Sequence, residues 1–142
     1  MAVTPAEFLG AKGHYLSLEP LLTDQDGWIT AIAVTLEGIN GGENGRRRST
    51  RTNYRMLASV KDLRATLPVA WIAVPQDGSI EHVNIFHPRD ICPFVGTKLP
   101  YICWGTSESA WRAVAVENRT LTNFLEAARQ ILAHANFDSR AR

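Results

Sequence analysis

"EHVNIFHPRDICPFVGTKLPYICWG", Glu81 to Gly105, holds two of the chain's four histidines, His82 and His87, and both of its cysteines, Cys92 and Cys103. How this stretch is read decides how the rest of the chain folds around it. Strand-like alternation precedes it and a helical pattern follows it. The stretch lies within residues 81–119, about 40 positions without a clear period, and unpatterned segments of that length inside a domain are uncommon and usually functional.

The flanks carry ordinary fold signals. "WITAIAVTLEG" (28–38) alternates and is rich in β-branched residues. "TNYRMLASV" (52–60) sets Tyr54, Met56 and Ala58 against Asn53, Arg55 and Leu57, imperfectly. "PVAWIAVP" (68–75) is a short apolar run bounded by prolines,. Short loops join these runs, so an antiparallel meander of about four strands is the economical arrangement. The glycine-rich residues 38–45 read as its first hairpin connection,. Downstream, "TLTNFLEAARQILAHANF" (120–137) places Leu121, Phe124, Leu125, Ala128, Leu132 and Ala135 on one helical stripe, with Glu126, Arg129 and Gln130 facing away,. Thr120 or Thr122 is placed to cap its start. The expected class is α+β, in a single domain over 1–142. Residues 1–27 form a helical or irregular lead-in, 28–80 the meander, 81–119 the active-site segment and 120–136 the helix.

Composition sets outer limits. A chain of 142 residues buries roughly 70% of its unfolded surface, so it folds without needing a disulfide or metal. Apolar residues make up 45% and charged residues 20%, with a net charge of +1, which points to no acidic partner,. "RRRSTR", Arg46 to Arg51, reads as solvated charge at a hairpin tip. No aromatic residues interleave with it, so no nucleic-acid partner is expected. No apolar run reaches membrane-spanning length, and no signal peptide is visible, so the expectation is no membrane, a cytoplasmic location and free thiols.

Three chemistries suit a segment that concentrates His and Cys. Zinc would use both residue types, but the spacing of His82, His87, Cys92 and Cys103 lacks a knuckle pair, so no metal is expected. A Cys–His hydrolase needs a thiolate, a base and an orienting group, and no family signature surrounds Cys103. Acyl-carrier chemistry needs an exposed thiol, amide donors for an oxyanion, and no strong base to hydrolyse the thioester.

The order of elements resembles a ubiquitin-conjugating enzyme domain (UBC-like) of a divergent bacterial branch, over roughly residues 28 to 136. "PVAWIAVP" resembles that family's proline-marked strand. "HVN", His82 to Asn84, resembles its His-Pro-Asn turn, with Val in place of Pro. "YICWG", Tyr101 to Gly105, resembles its catalytic loop. Trp111 stands eight residues after Cys103, as the family's tryptophan does, and 120–136 resembles the helix that follows.

The resemblance implies a transferase. It would carry a ubiquitin-like modifier protein as a cysteine thioester and pass it to a lysine amine. An adenylating activating enzyme and a deconjugating protease would be partners, no cofactor would be needed, and the setting would be antiphage defence. The N-terminal lead-in, with Phe8, Leu9, Leu16 and Leu18, would receive the activating enzyme. Cys103 would be the acyl carrier, Asn84 an oxyanion or loop-bracing residue, and His82 a turn-orienting one.

Other registers stay open. His82 to Cys92 matches the family's usual turn-to-cysteine gap, and Phe86-His87-Pro88 offers a third turn, with Arg89 at the Asn position. Cys103 is preferred, since it lies between Ile102 and Gly105 with a tryptophan and a helix downstream. Either thiol also reads as a small core hydrophobe, and Asn84 as an Asx-turn residue. Trp104 and Trp111 read as packing residues, and His14 and His134 belong to no constellation. A non-catalytic UBC-like domain that binds a ubiquitin-like protein or scaffolds a partner is the alternative. An unrelated α+β domain with incidental cysteines is a third.

Overall fold

The computed structural model describes residues 2–41, 50–75 and 80–134, with the side chain of Leu16 outside the description. Arg46, Arg47 and Arg48, Ala135 of the helical stripe, and residues 42–45 of the expected hairpin tip all lie outside the described residues. The chain runs α1 (Pro5–Lys12), β1 (Leu16–Thr23), β2 (Ile29–Asn40), β3 (Thr50–Ser59), β4 (Ala70–Val74), β5 (Ile85–Ile91), β6 (Lys98–Ile102), α2 (Ser107–Ala113), a 3₁₀ turn at Val116–Asn118, and α3 (Leu121–Ala133). The strands form one antiparallel sheet in the order β1-β2-β3-β4-β6-β5.

The α+β class and the antiparallel pairing hold, and β1 to β4 follow one another as a meander, but the sheet has six strands where about four were expected, and β6 rather than β5 pairs with β4. The additional pair, β5 and β6, lies inside the segment read as irregular, and β1 lies in the lead-in. The physical reason is their position. β1 and β5 are the two sheet edges. Pro20 and three register shifts interrupt β1, and Pro88, Arg89 and Asp90 interrupt β5. Such residues blunt an edge against pairing with other chains and at the same time erase the alternation that announces a strand.

Helices α1 and α3 cover one face of the sheet. Phe8 and Ala11 of α1, Val34 and Leu36 of β2, Tyr54 and Met56 of β3, and the whole Leu121, Phe124, Leu125, Ala128, Leu132 stripe of α3 share its core. The opposite face carries a smaller cluster of Ala33, Leu57, Trp71, Cys92 and Leu99, with Phe94 and Tyr101 packed against it. This second cluster explains the imperfect pattern of β3, because Leu57 faces apolar neighbours where one-sided burial would call for a polar residue. The lead-in is part of the core: Phe8 and Leu18 are buried, while Leu9 is 68% exposed.

Both ends of α3 meet residues remote in sequence. At its start Thr120 Oγ1 accepts from the Asn123 N–H at 3.2 Å, and Glu7 Oε2 of α1 accepts from the Leu121 N–H at 2.8 Å. A carboxylate there satisfies an orphan donor and complements the helix dipole. The same carboxylate pairs with Arg64 at 3.0 Å, which ties α1, the 60–69 loop and α3 together. At the other end Gly38 of β2 lies against Leu132. A Cβ added there would stand 2.5 Å from the Leu132 carbonyl oxygen and 2.8 Å from its Cβ.

Gly38→Ala should therefore force β2 and α3 apart and cost about 1–3 kcal/mol, as overpacking against backbone does. Leu125→Ala should cost about 2–5 kcal/mol as a buried cavity. Urea unfolding of each variant measures both.

Candidate functional site

Cys103 stands one residue beyond β6. Side chains alternate along a strand. Ile102 and Trp104 are buried in the main core, 3% and 9% exposed, so Cys103 is turned the other way, with Tyr101, and is half-buried. Trp104 Nε1 donates to the Pro68 carbonyl at 2.9 Å and Trp111 Nε1 to the Leu63 carbonyl at 2.9 Å. The two tryptophans thereby pin both ends of the 104–111 segment to the 60–69 loop. Between them Gly105 has φ +55, a left-handed turn that suits glycine. Among the described residues, the main-chain N–H groups of Trp104 and Gly105 donate to no acceptor.

The sequence-distant turn at His82 is brought beside Cys103. Ile85 of β5 pairs with Ile102 of β6, and the Cys103 N–H donates to the Asn84 carbonyl at 2.8 Å. The Asn84 N–H donates to His82 Nδ1 at 3.1 Å, and His82 Nε2 lies 3.2 Å from the Leu132 carbonyl at the end of α3. The two contacts together need the Nε2–H tautomer, which donates to Leu132 and accepts from Asn84. His82 thus braces the turn through both ring nitrogens. Both of its ring nitrogens face main-chain groups, which leaves the hydrolase-base reading without support. Asn84 is buried, 1% exposed, and its link to Cys103 runs through the main chain.

The other two candidates separate from this group. Cys92 is fully buried in the second core cluster, and its carbonyl accepts from Val95 and Gly96 in the β5–β6 turn. His87 is exposed on the edge strand β5. Neither cysteine is in a disulfide, and among the described residues no three His, Cys, Asp or Glu side chains gather as a metal site. No described helix is long and apolar enough to cross a membrane. Arg51, the one arginine of the basic cluster that is described, lies 3.9 Å from Glu37 across β2 and β3.

Cys103 lines an open pocket of about 450 Å³, walled by Phe86, Tyr101 and Trp104, by Leu67 and Val69, and by Glu108 of α2. Sequence reasoning missed Glu108 and named Tyr101 only as the start of the catalytic-loop motif. Arg89 stacks 4.3 Å above the Phe86 ring, and the Tyr101 hydroxyl accepts from Arg89 Nε at 2.5 Å and donates to Asp90 at 2.8 Å. Partial burial, then the hydroxyl's bond to Asp90, raises the Tyr101 phenol above its ordinary value, so it stays protonated and neutral in the pocket wall at physiological pH. Another pocket, of about 490 Å³, lies between α2 and α3 beside Trp111 and Ile131 and does not include Cys103.

Compared with family models, with curated proteins and with solved structures, the chain matches none.

The two thiols should separate cleanly in native buffer. Cys103 should react with a water-soluble disulfide reagent at once, and Cys92 only at the rate at which its cluster opens. His82→Ala should lose about 1–3 kcal/mol in urea, because it orphans both the Leu132 carbonyl and the Asn84 N–H.

Proposed function

We propose that the chain is an acyl-transfer domain of ubiquitin-conjugating type, which holds the C-terminal carboxyl of a ubiquitin-like protein as a thioester on Cys103 and passes it to a lysine amine. The observation that supports this most is the position of Cys103. It is a half-buried thiol in an open pocket, held at the end of a strand by a hydrogen bond to the Asn84 carbonyl of the His82–Asn84 turn. A thioester carrier needs a reachable sulfur on a rigid support. It also needs donors for the oxyanion, and the unengaged N–H groups of Trp104 and Gly105 follow the nucleophile directly,. None of the described residues in the pocket wall is a histidine, which suits an intermediate that must survive until an amine arrives.

An ATP-using adenylating enzyme would load Cys103 by transthiolation, with the energy of adenylation conserved in the thioester. A deconjugating protease would reverse the product, and the setting that the family resemblance implies is bacterial antiphage defence in the cytoplasm. The activating enzyme would not dock on a removable arm, because Val3, Phe8 and Ala11 are core residues. The exposed Leu9 is the part of the lead-in that could meet it.

A second reading, a non-catalytic domain that binds a ubiquitin-like protein, is favoured by one observation: the buried Asn84 is not among the residues lining the Cys103 pocket.

Incubation with an adenylating enzyme, ATP and the modifier separates the two. Cys103 should form an adduct that reducing agent removes, Cys103→Ser an oxyester that resists it, and Cys92→Ala should leave the reducible adduct in place. Asn84→Ala should charge normally. It should then transfer to lysine about a hundredfold more slowly if its amide supports the oxyanion. A chain that never carries the modifier on either thiol is the binder.

A further inference from the structure

Arg89 lies in the β5–β6 hairpin, where the sequence offered it only at the Asn position of an alternative turn. The structure holds it at the rim of the Cys103 pocket. Its guanidinium carbon stands 4.3 Å from the centroid of the Phe86 ring and 5.5 Å from that of Tyr101, and both rings line the pocket. Nε donates to the Tyr101 hydroxyl at 2.5 Å, and that hydroxyl donates in turn to Asp90 at 2.8 Å. On a regular strand, residues three apart point to opposite faces. The register shift between Phe86 and Asp90 removes that alternation and lets Arg89 stack on Phe86,.

This side chain is 60% exposed, yet a ring and a hydrogen bond already order it, so a ligand would find its entropy cost largely met. The edge formed by Nη1 and Nη2 bonds to no acceptor among the described residues. Two parallel N–H groups on one edge of a permanently charged plane match the two oxygens of a carboxylate. One guanidinium with Asp90 beside it balances a single negative charge, which suits a carboxylate better than a phosphate dianion.

We propose that Arg89 is a carboxylate-binding subsite at the rim of the Cys103 pocket, which takes through Nη1 and Nη2 an acidic side chain of a polypeptide whose reacting end reaches the sulfur. The polypeptide source rests on the transferase reading; the carboxylate preference does not. The subsite does no chemistry. It selects what is held at the thiol. Phe86 and Tyr101 act as positioning residues, one through its ring face and the other through its hydroxyl.

Two aromatic disulfides test the preference without a partner protein. 5,5′-Dithiobis(2-nitrobenzoate) carries a carboxylate on each ring, at two distances from the attacked sulfur, and 4,4′-dithiodipyridine carries none. Their rates with Cys103 are read by stopped-flow absorbance at constant ionic strength, and the site is confirmed by mass spectrometry of the Cys103 peptide. In Arg89→Gln the ratio of carboxylate to neutral rates should fall by about fivefold to tenfold, as loss of a charge-assisted bidentate contact does. The neutral rate should stay the same, which reports an intact pocket. Arg89→Lys should lose nearly as much, because it keeps the charge and loses the fork. Tyr101→Phe should lose part of the ratio. Thermal melts report whether each variant is folded.

An unchanged ratio in Arg89→Gln overturns the subsite. So does a full ratio in Arg89→Lys, which would reduce the effect to charge alone. Peptides then separate the two polypeptide sources. Short peptide thioesters with Glu or Gln near the reacting end load Cys103 by transthiolation, and lysine peptides with Glu or Gln beside the lysine discharge it. A Glu advantage in loading that Arg89→Gln abolishes assigns the carboxylate to the carried polypeptide, and the same result in discharge assigns it to the acceptor. A Glu advantage in neither step overturns the polypeptide source. Failure of Cys103 to carry any acyl group removes the transferase reading, and the reagent ratio still decides the subsite.

Discussion

Leu132 closes α3 with a carbonyl that has no partner inside the helix, and the imidazole of His82 meets it from fifty residues away in the sequence,. The rest of the candidate site depends on this contact. The ring's second nitrogen takes the Asn84 N–H, and the Asn84 carbonyl takes the Cys103 N–H. One side chain therefore carries the position of the α3 terminus through a two-residue turn to Cys103. The packing beneath it leaves little freedom. Gly38 allows β2 to touch the backbone of Leu132 directly, so the carbonyl that His82 reads cannot drift along the sheet.

The two cysteines show how strand position decides the fate of one residue type. Cys92 ends the β5 side of the hairpin and turns into a cluster with Trp71, Leu57 and Leu99. It behaves there as the small hydrophobe that buried cysteine usually is. Cys103 follows a strand whose neighbouring residues, Ile102 and Trp104, are both committed to the main core. Alternation then leaves it no inward position. Its partial exposure is a consequence of where the large residues on either side had to go. The tryptophan contacts to Pro68 and Leu63 hold that arrangement, so the thiol is presented by a buried frame.

Much of the fold was legible because its signals were local. The α3 stripe is apolar at every position that the 3.6-residue period requires, and all five of its described members are buried. The strands β2, β3 and β4 sit within two residues of the runs that announced them. What escaped was determined by non-local context. The edge strands β1 and β5 carry prolines and charges that protect them, and those residues mask a strand period. The 81–119 segment looked unpatterned because two five-to-seven-residue strands, a helix of two turns and a 3₁₀ turn are each too short to show a period,. Leu57 looked like an error in an amphipathic strand, since nothing in the sequence announces that a distant hairpin covers the second face of the sheet.

The site was legible to the same extent and for the same reason. His82, Asn84 and Cys103 could be grouped from the sequence because they flank one hairpin, which the chain closes within 25 residues. Cys92 belongs to that hairpin too, and only the direction of its side chain, into the second cluster, separates it from the group. Glu108 could not be found this way. Its partners are Thr66, 42 residues earlier, and Arg112, one helical turn later. Taken alone, a glutamate four residues before an arginine in a short helix is an ordinary surface pair. It becomes chemically interesting only once Trp104 and Trp111 have drawn α2 down onto the 60–69 loop, which sets the carboxylate in the wall beside the sulfur. The same two indole hydrogen bonds that present the thiol therefore also bring Glu108 to it, so any variant that loosens either tryptophan should disturb both together.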